Sequence, residues 1–249
     1  MREVILNIVI PIVGLGKRFS DAGYSVPKPL VIVEGKTILQ HAVESLKVQG
    51  KYTFVVRTSE FSEKMIDVLR SCKPDCNIVE TSAMTSGSVS SILLAEDAIN
   101  SEESLITTNC DQILKWDPVD FLSFCKRSQA HGVVCTYPFN DIRLFESSPY
   151  SFIHTNHFGR GLQLVEKEAI SLNALCGVHY WKNGSSFVKS AKKLIEENKT
   201  INGEFYVSMT YNYLIREGKV VVPYSLYNGE FFSLGTPEDV SKYENRKVR

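Results

Sequence analysis

Between residues 4 and 13 only Asn7 and Pro11 interrupt an apolar, β-branched run. A run of this length, closed by a glycine-rich stretch, predicts a strand over 4–11 that is buried on both faces. It is too short to cross a bilayer and no small-residue cleavage site follows it, so a buried strand is preferred to an export signal. From there the chain alternates two periods. Ile38, Ala42, Val43 and Leu46 mark one face of a helix, 52–56 reads as a strand, 62–69 as a helix and 77–80 as a short strand. Val89, Ile92, Leu93 and Ala95 continue a helix that begins near Gly87, and a strand follows at 104–108. Asp117-Pro118 opens a helix over 119–125, and 133–138 is again extended. This repetition predicts a largely parallel sheet with helices on both faces.

The second half is less regular. Short strands are predicted at 151–154, 163–166 and 175–181, helices over 187–196 and 205–215, and a strand over 219–223. Thr236 caps a last helix whose first position is Pro237. No repeat or low-complexity linker divides the chain, and one core can serve 249 residues, so a single domain over 1–249 is expected.

The 28 basic side chains balance 28 acidic ones. No global field therefore draws the chain to nucleic acid or to an anionic membrane, and an anion site must be local. The cysteines (Cys72, Cys76, Cys110, Cys125, Cys135, Cys176) are scattered and read as small hydrophobes. Cys72 and Cys76 lack a second pair or a nearby histidine to complete a zinc site. A cytoplasmic setting is expected.

The local anion site has a candidate. After the first strand come Gly14-Leu15-Gly16-Lys17-Arg18, and then Lys28 between Pro27 and Pro29. Two glycines let a backbone turn its N–H groups toward an anion, and Lys17 and Arg18 add charge at the same place. Arginine's rigid fork suits phosphate oxygens, and prolines restrict the backbone on either side of Lys28. The dinucleotide fingerprint is absent, since Phe19 stands where its third glycine belongs, and no Gly-Lys-Ser/Thr completes a Walker loop.

The span 7–30 resembles the signature of the sugar-phosphate nucleotidyltransferases, a Gly-x-Gly-x-Arg loop followed by Pro-Lys-Pro. Within that family it is most similar to a bacterial capsule and surface-polysaccharide branch, from which it departs at Val13 (usually alanine) and Lys17 (usually serine). The resemblance continues in Asn109-Cys110-Asp111-Gln112, Glu166-Lys167, Gly203-Glu204-Phe205-Tyr206-Val207 and Leu234-Gly235-Thr236-Pro237-Glu238-Asp239, in order along nearly the whole chain. It implies a three-layer α/β/α Rossmann-like fold with a mixed, mainly parallel central sheet and a small antiparallel acceptor-site insertion. Residues 1–138 would mainly bind an NTP and 139–249 mainly the acceptor.

The implied activity is Mg²⁺-dependent transfer of a nucleoside monophosphate from an NTP to a small phosphorylated acceptor, with release of pyrophosphate. A sugar 1-phosphate leads. A CTP-dependent enzyme acting on a phosphoglutamine or polyol phosphate stays open, as does a silent nucleotide-binding regulator, and so does a homo-oligomer. By resemblance, Gly14, Leu15, Gly16, Lys17, Arg18 and Lys28 hold the triphosphate, while Thr81, Gly87 and Ser88 lie at the nucleoside. Asp111 matches the family's Mg²⁺-binding aspartate. Glu204 is the nearest carboxylate to the place where many relatives carry a second one, and it serves either metal or acceptor. Asn109, Glu166 and Lys167 face the acceptor. Arg18, Lys28, Asp111 and Lys167 form the expected catalytic set. No base is required, because a phosphate monoester with a second pKa of about 6 is already largely dianionic at neutral pH. None of the histidines has to act. His41 and His131 are expected in structural roles, and His154, His157 and His179 lie in the acceptor half without the spacing of a metal triad.

Overall fold

A computed structural model of the chain describes residues 6–139, 148–226 and 230–246. Residues 4 and 5 of the expected first strand lie outside the described residues. The chain opens with β1 (Leu6–Ile12), a short helix α1 (Lys17–Asp21), a 3-10 turn at Lys28–Leu30 and a hairpin of β2 (Ile32–Val33) and β3 (Lys36–Thr37). Then come α2 (Ile38–Leu46), β4 (Lys51–Arg57), α3 (Ser62–Cys72) and β5 (Asn77–Thr81). Helices α4 (Ser88–Leu93) and α5 (Glu96–Ile99) lead to β6 (Ser104–Thr107), β7 (Gln112–Leu114), α6 (Pro118–Ser128) and β8 (Gly132–Pro138). The rest comprises β9 (Ser151–Thr155), β10 (Gly161–Glu166), β11 (Asn173–Trp181), α7 (Gly184–Glu196) and α8 (Val207–Arg216). β12 (Val221–Ser225), β13 (Phe231–Ser233) and α9 (Pro237–Asn245) close it.

Nine strands form the main sheet, in the order β10-β9-β11-β6-β1-β4-β5, with β8 paired to β11 and β12 to β8. β6, β1, β4 and β5 run parallel, whereas β11 is antiparallel to β6, β8 and β9. The sheet is therefore mixed, and its antiparallel part comes from the less regular second half.

The continuous apolar run of β1 follows from burial on both faces. Ile8 and Ile10 pack with Leu39, Val43 and Leu46 of α2, Leu69 of α3 and Phe121 of α6. Val9 points the other way, into a cluster with Val89 and Ile92 of α4, Phe187 of α7 and Tyr211 of α8. Period-two side chains on one strand thus feed two helical layers. A third cluster joins Phe19 of α1, Val31, Ile38, Ile113 of β7, Leu234, and Val240 and Tyr243 of α9. It anchors the segment after β1 to the far end of the chain.

Local chemistry sets several helix starts. The Thr37 hydroxyl accepts from Gln40 N at 3.0 Å, and Gln40 Oε1 accepts from Thr37 N at 2.9 Å, closing a capping box on α2. Thr236 Oγ1 accepts from Asp239 N at 3.0 Å ahead of Pro237, as expected. Two helices depart from expectation. The α4 pattern tightens where Leu94 N and Ala95 N bond three residues back, to Ser91 O and Ile92 O, and a separate α5 follows. α8 starts at Val207 rather than at 205, because Phe205 N donates to Ser86 O and Phe205 O accepts from Val89 N. That backbone is spent on joining two loops.

The Asp117 carboxylate accepts from Val119 N at 2.8 Å and Asp120 N at 3.2 Å, so it caps α6. Asp117→Ala should lower stability by about 1 kcal/mol. The check is a urea titration in which the midpoint falls while the slope stays unchanged; an unaltered midpoint would remove the cap role.

Candidate functional site

A cleft of about 670 Å³ opens at the carboxyl ends of β1 and β6. Val13, Gly14, Leu15, Gly16, Lys17 and Arg18 line one side, directly after β1. Gly16 has φ 61°, and a Cβ there would lie 2.9 Å from Lys28 Cβ. The glycine thus permits both the left-handed turn and the close approach of the Pro-Lys-Pro segment. Phe19, in the place of a fingerprint glycine, is buried at 1% exposure and pins α1 beneath the loop.

Lys28 reaches across the cleft to Asp111, with Nζ 2.7 Å from Oδ2 and both side chains about four-fifths buried. Burial opposes the ammonium charge, but the Asp111 carboxylate, joined by Cys110, outweighs it and leaves the Lys28 pKa above its ordinary value. Asp111 is itself held from the chain's far end. Leu234 N donates to Asp111 O at 2.7 Å, and a Cβ on Gly235 would lie 3.3 Å from Asp111 Oδ2.

On the acceptor side, Glu166 at the end of β10 is 7% exposed. The hydroxyls of Ser151 and Ser208 both donate to its Oε1, and Oε2 has no hydrogen bond among the described residues. Burial raises the Glu166 pKa, against the lowering effect of the two hydroxyls and of Lys167. Glu204 Oε2 accepts from Tyr206 OH at 2.6 Å. Gly87, with φ 100°, packs so closely beside this segment that a Cβ would lie 2.7 Å from Phe205 N and O and 3.1 Å from Glu204 Cβ. A contact inside the protein therefore already demands this glycine.

Gly14, Leu15, Gly16, Lys17, Arg18, Lys28, Gly87, Ser88, Asn109, Asp111, Glu166 and Glu204 all line the same cleft. Two expected residues stand outside that lining. Thr81 ends β5, where its Oγ1 accepts from Ala83 N at 3.1 Å and its carbonyl accepts from Thr58 N at 2.8 Å. Met84, Thr85 and Ser91 line that side instead, with 2.7 Å between the Thr85 and Ser91 hydroxyl oxygens. Lys167 has φ 61°, and its Nζ lies 5.0 Å from the Tyr206 ring centroid, behind a residue that does line the cleft.

Sequence reasoning missed Thr107, Tyr150, Ser151, Gly177 and Ser208, all in the lining, and quoted Tyr206 in a motif without giving it a role. No local pattern marks the missed residues, since they converge from separate strands, the approach to β9 and the start of α8. His41 Nε2 lies 2.8 Å from Val33 O and His131 Nδ1 accepts from Val220 N at 3.2 Å, which are structural roles. Of the acceptor-half histidines only His179 lines the cleft.

Among the described residues no three His, Cys, Asp or Glu side chains cluster as a metal cage. Of the three carboxylates that line the cleft, Asp111 and Glu204 still fit magnesium, which takes one or two carboxylates and fills its shell with phosphate and water oxygens. No described helix is long and apolar enough to cross a membrane.

Residues 8–171 match the model of the MobA-like NTP transferase domain. The chain belongs to this family. It is 24% identical over 207 residues to a mannose-1-phosphate guanyltransferase of Schizosaccharomyces pombe, covering 81% of this chain and 49% of the relative. It is 25% identical over 246 residues to the bifunctional protein GlmU of Methanocaldococcus jannaschii, covering 94% and 52%. The chain thus spans about half the length of these curated relatives. A nucleoside-diphosphate-sugar pyrophosphorylase from Vibrio cholerae shares the fold with a TM-score of 0.80 at 19% identity, over 96% of this chain and 100% of that one. The mixed, mainly parallel sheet between helical layers is that nucleotidyltransferase fold.

The buried Glu166 yields a signed prediction. A carboxyl whose folded pKa is raised stabilises the fold fully below its unfolded value of about 4.3 and loses that contribution as pH rises through the folded value. Glu166→Gln keeps an oxygen for both serine hydroxyls and removes the buried charge. The variant should therefore gain stability relative to the parent between pH 4 and pH 8, read from urea midpoints across that range. A constant difference would mean that the Glu166 charge is not penalised in the fold.

Proposed function

We propose that the chain catalyses Mg²⁺-dependent transfer of a nucleoside monophosphate from an NTP to a sugar 1-phosphate. The products would be pyrophosphate and an activated nucleotide conjugate that serves capsule or surface polysaccharide assembly. The observation that carries this reading is the single cleft in which a glycine loop with Lys17 and Arg18, the Lys28–Asp111 pair and a buried hydroxyl-bonded Glu166 come together. Membership of an NTP transferase family and the mannose-1-phosphate and sugar-nucleotide names among the relatives support it.

The chemistry asks for alignment more than for a base. An acceptor phosphate oxygen attacks the α-phosphorus, the new P–O bond forms, and the bond to the pyrophosphate oxygen breaks. Lys17, Arg18 and the loop backbone would compensate departing charge, and Lys28, packed against that loop at Gly16, would reach the reacting phosphates from the same side. Magnesium held by Asp111, with Glu204 as a second carboxylate, would supply neutralisation of triphosphate oxygens. Glu166 Oε2 accepts from an acceptor hydroxyl. Lys167 stands behind Tyr206 and would turn toward the acceptor phosphate.

The assay is pyrophosphate release from each NTP with a panel of phosphate monoesters that includes hexose 1-phosphates, polyol phosphates and phosphocholine. Release with a hexose 1-phosphate supports the reading. Release confined to CTP and a non-sugar phosphate would replace the acceptor, and nucleotide binding without release across the panel would overturn the enzyme. Asp111→Asn should keep the fold and lower kcat by about 100- to 1,000-fold, or roughly 3–4 kcal/mol of transition-state stabilisation. Added Mg²⁺ should restore little. A folded Asp111→Asn protein with native turnover and unchanged metal dependence would return Asp111 to a structural role.

A further inference from the structure

The oxygen that a metal would need first is already engaged. Lys28 Nζ lies 2.7 Å from Asp111 Oδ2, a direct contact between side chains that are 19% and 20% exposed. Both backbones are fixed. The Asp111 carbonyl accepts from Leu234 N at 2.7 Å, and Gly235 lies close beside the carboxylate. Lys28 opens a 3-10 turn between two prolines, where Leu30 N donates to Pro27 O at 2.9 Å and Val31 N to Lys28 O at 3.2 Å. Its Cβ is held against Gly16. What can move is the flexible four-carbon stem of the lysine.

A divalent cation and an ammonium compete for that carboxylate. At four-fifths burial water screens them poorly, so seating both there sets a double positive charge beside a single one at reduced dielectric. Driving Lys28 off instead leaves a desolvated ammonium without its partner, which is costly. The other carboxylates of the cleft are engaged, Glu204 by the Tyr206 hydroxyl and Glu166 by those of Ser151 and Ser208. A triphosphate changes the balance. Its oxygens offer Lys28 a charge-assisted bond beside Gly16, Lys17 and Arg18, while the metal takes the released carboxylate. Triphosphate alone would strand Asp111, and metal alone would strand Lys28. Each therefore favours the other, and the coupling is reciprocal.

We propose that Lys28 determines which form of the metal the cleft accepts, closing Asp111 to a free divalent cation and releasing it to a metal–triphosphate complex. This rests on the reading of Asp111 as the metal carboxylate of a nucleotidyl-transfer cleft. The lysine acts twice in this scheme, as an internal substitute for the metal before the nucleotide arrives and as a phosphate contact afterwards.

The test needs no turnover and uses Mn²⁺ as a paramagnetic probe, with the unbound ion counted by electron paramagnetic resonance. Lys28→Met keeps the apolar stem and removes the charge; Lys28→Gln serves in its place if circular dichroism shows the first variant unfolded. Mn²⁺ alone should bind the Lys28 variant about 10- to 100-fold more tightly than the parent. That gain should vanish when Asp111→Asn is added. Mn²⁺ alone should also raise the Tm of the Lys28 variant and leave the parent Tm unchanged. A preformed complex of Mn²⁺ with inorganic tripolyphosphate, followed by calorimetry, should bind the parent more tightly than bare Mn²⁺ does, and this advantage should shrink in the Lys28 variant. Equal Mn²⁺ affinity in parent and Lys28 variant, or a gain that survives Asp111→Asn, overturns the proposal. If the parent still releases pyrophosphate in that case, the transferase reading stands. An Asp111-dependent gain without release from any NTP and acceptor pair keeps the metal lock and overturns the reaction. Neither gain nor release overturns both.

Discussion

Lys28 and Asp111 stand 83 residues apart in the chain and meet at 2.7 Å, and the architecture of the cleft follows from bringing them together. Two loops must arrive at the same end of the sheet, which the parallel pairing of β1 with β6 accomplishes. Gly16 must lack a side chain so that Lys28 can pass beside it, and Phe19 must be buried so that the loop holds its place. Asp111 is braced from behind by Leu234 and Gly235, which the third apolar cluster ties back to α1. A partly buried ion pair gains from low dielectric only when its geometry is held, and these contacts hold it.

The opposite wall shows a different electrostatic solution. Glu166 is buried among hydroxyls rather than beside a full countercharge at bonding distance, so burial dominates its protonation. On the proposed reading the two walls divide the work, with cations and backbone for a triphosphate and neutral donors with one desolvated carboxylate for an acceptor body. His179, neutral and stacked on two aromatic rings, lines the same cleft.

Several glycines that resemble ligand-clearance positions are required by the protein's own packing. Gly87 gives way to Phe205 and Glu204. Gly177, with φ 83°, gives way to Asn109, whose Nδ2 would lie 2.2 Å from a Cβ there. Each thereby positions a polar side chain of the cleft. A glycine in a loop of this kind is a statement about neighbours first, and about substrate through them.

The alternation of strand and helix, the buried first strand, the caps at Asp117 and Thr236 and the loop after β1 were legible in the chain because each is a local matter of period, capping chemistry or glycine. The ordered motifs also marked Asp111, Glu166 and Glu204, all of which the structure brings into one cleft. Thr81 falls outside the cleft lining; the end of a strand and the start of the next loop look alike in sequence, and its hydroxyl is used within that turn. The break after α4 and the late start of α8 were hidden because long-range and three-residue backbone bonds, not propensity, set them. The pairing of β7 with β13 joins segments too distant for any window to relate. Ser151, Ser208, Thr107 and His179 carried no signal, since a single serine or histidine in a strand is unremarkable until the fold removes its water. Sequence alone determined which residues could bear charge and where the backbone could turn. Tertiary structure decided which polar groups would be desolvated together, because burial and convergence depend on strands and loops that meet only once the sheet has formed.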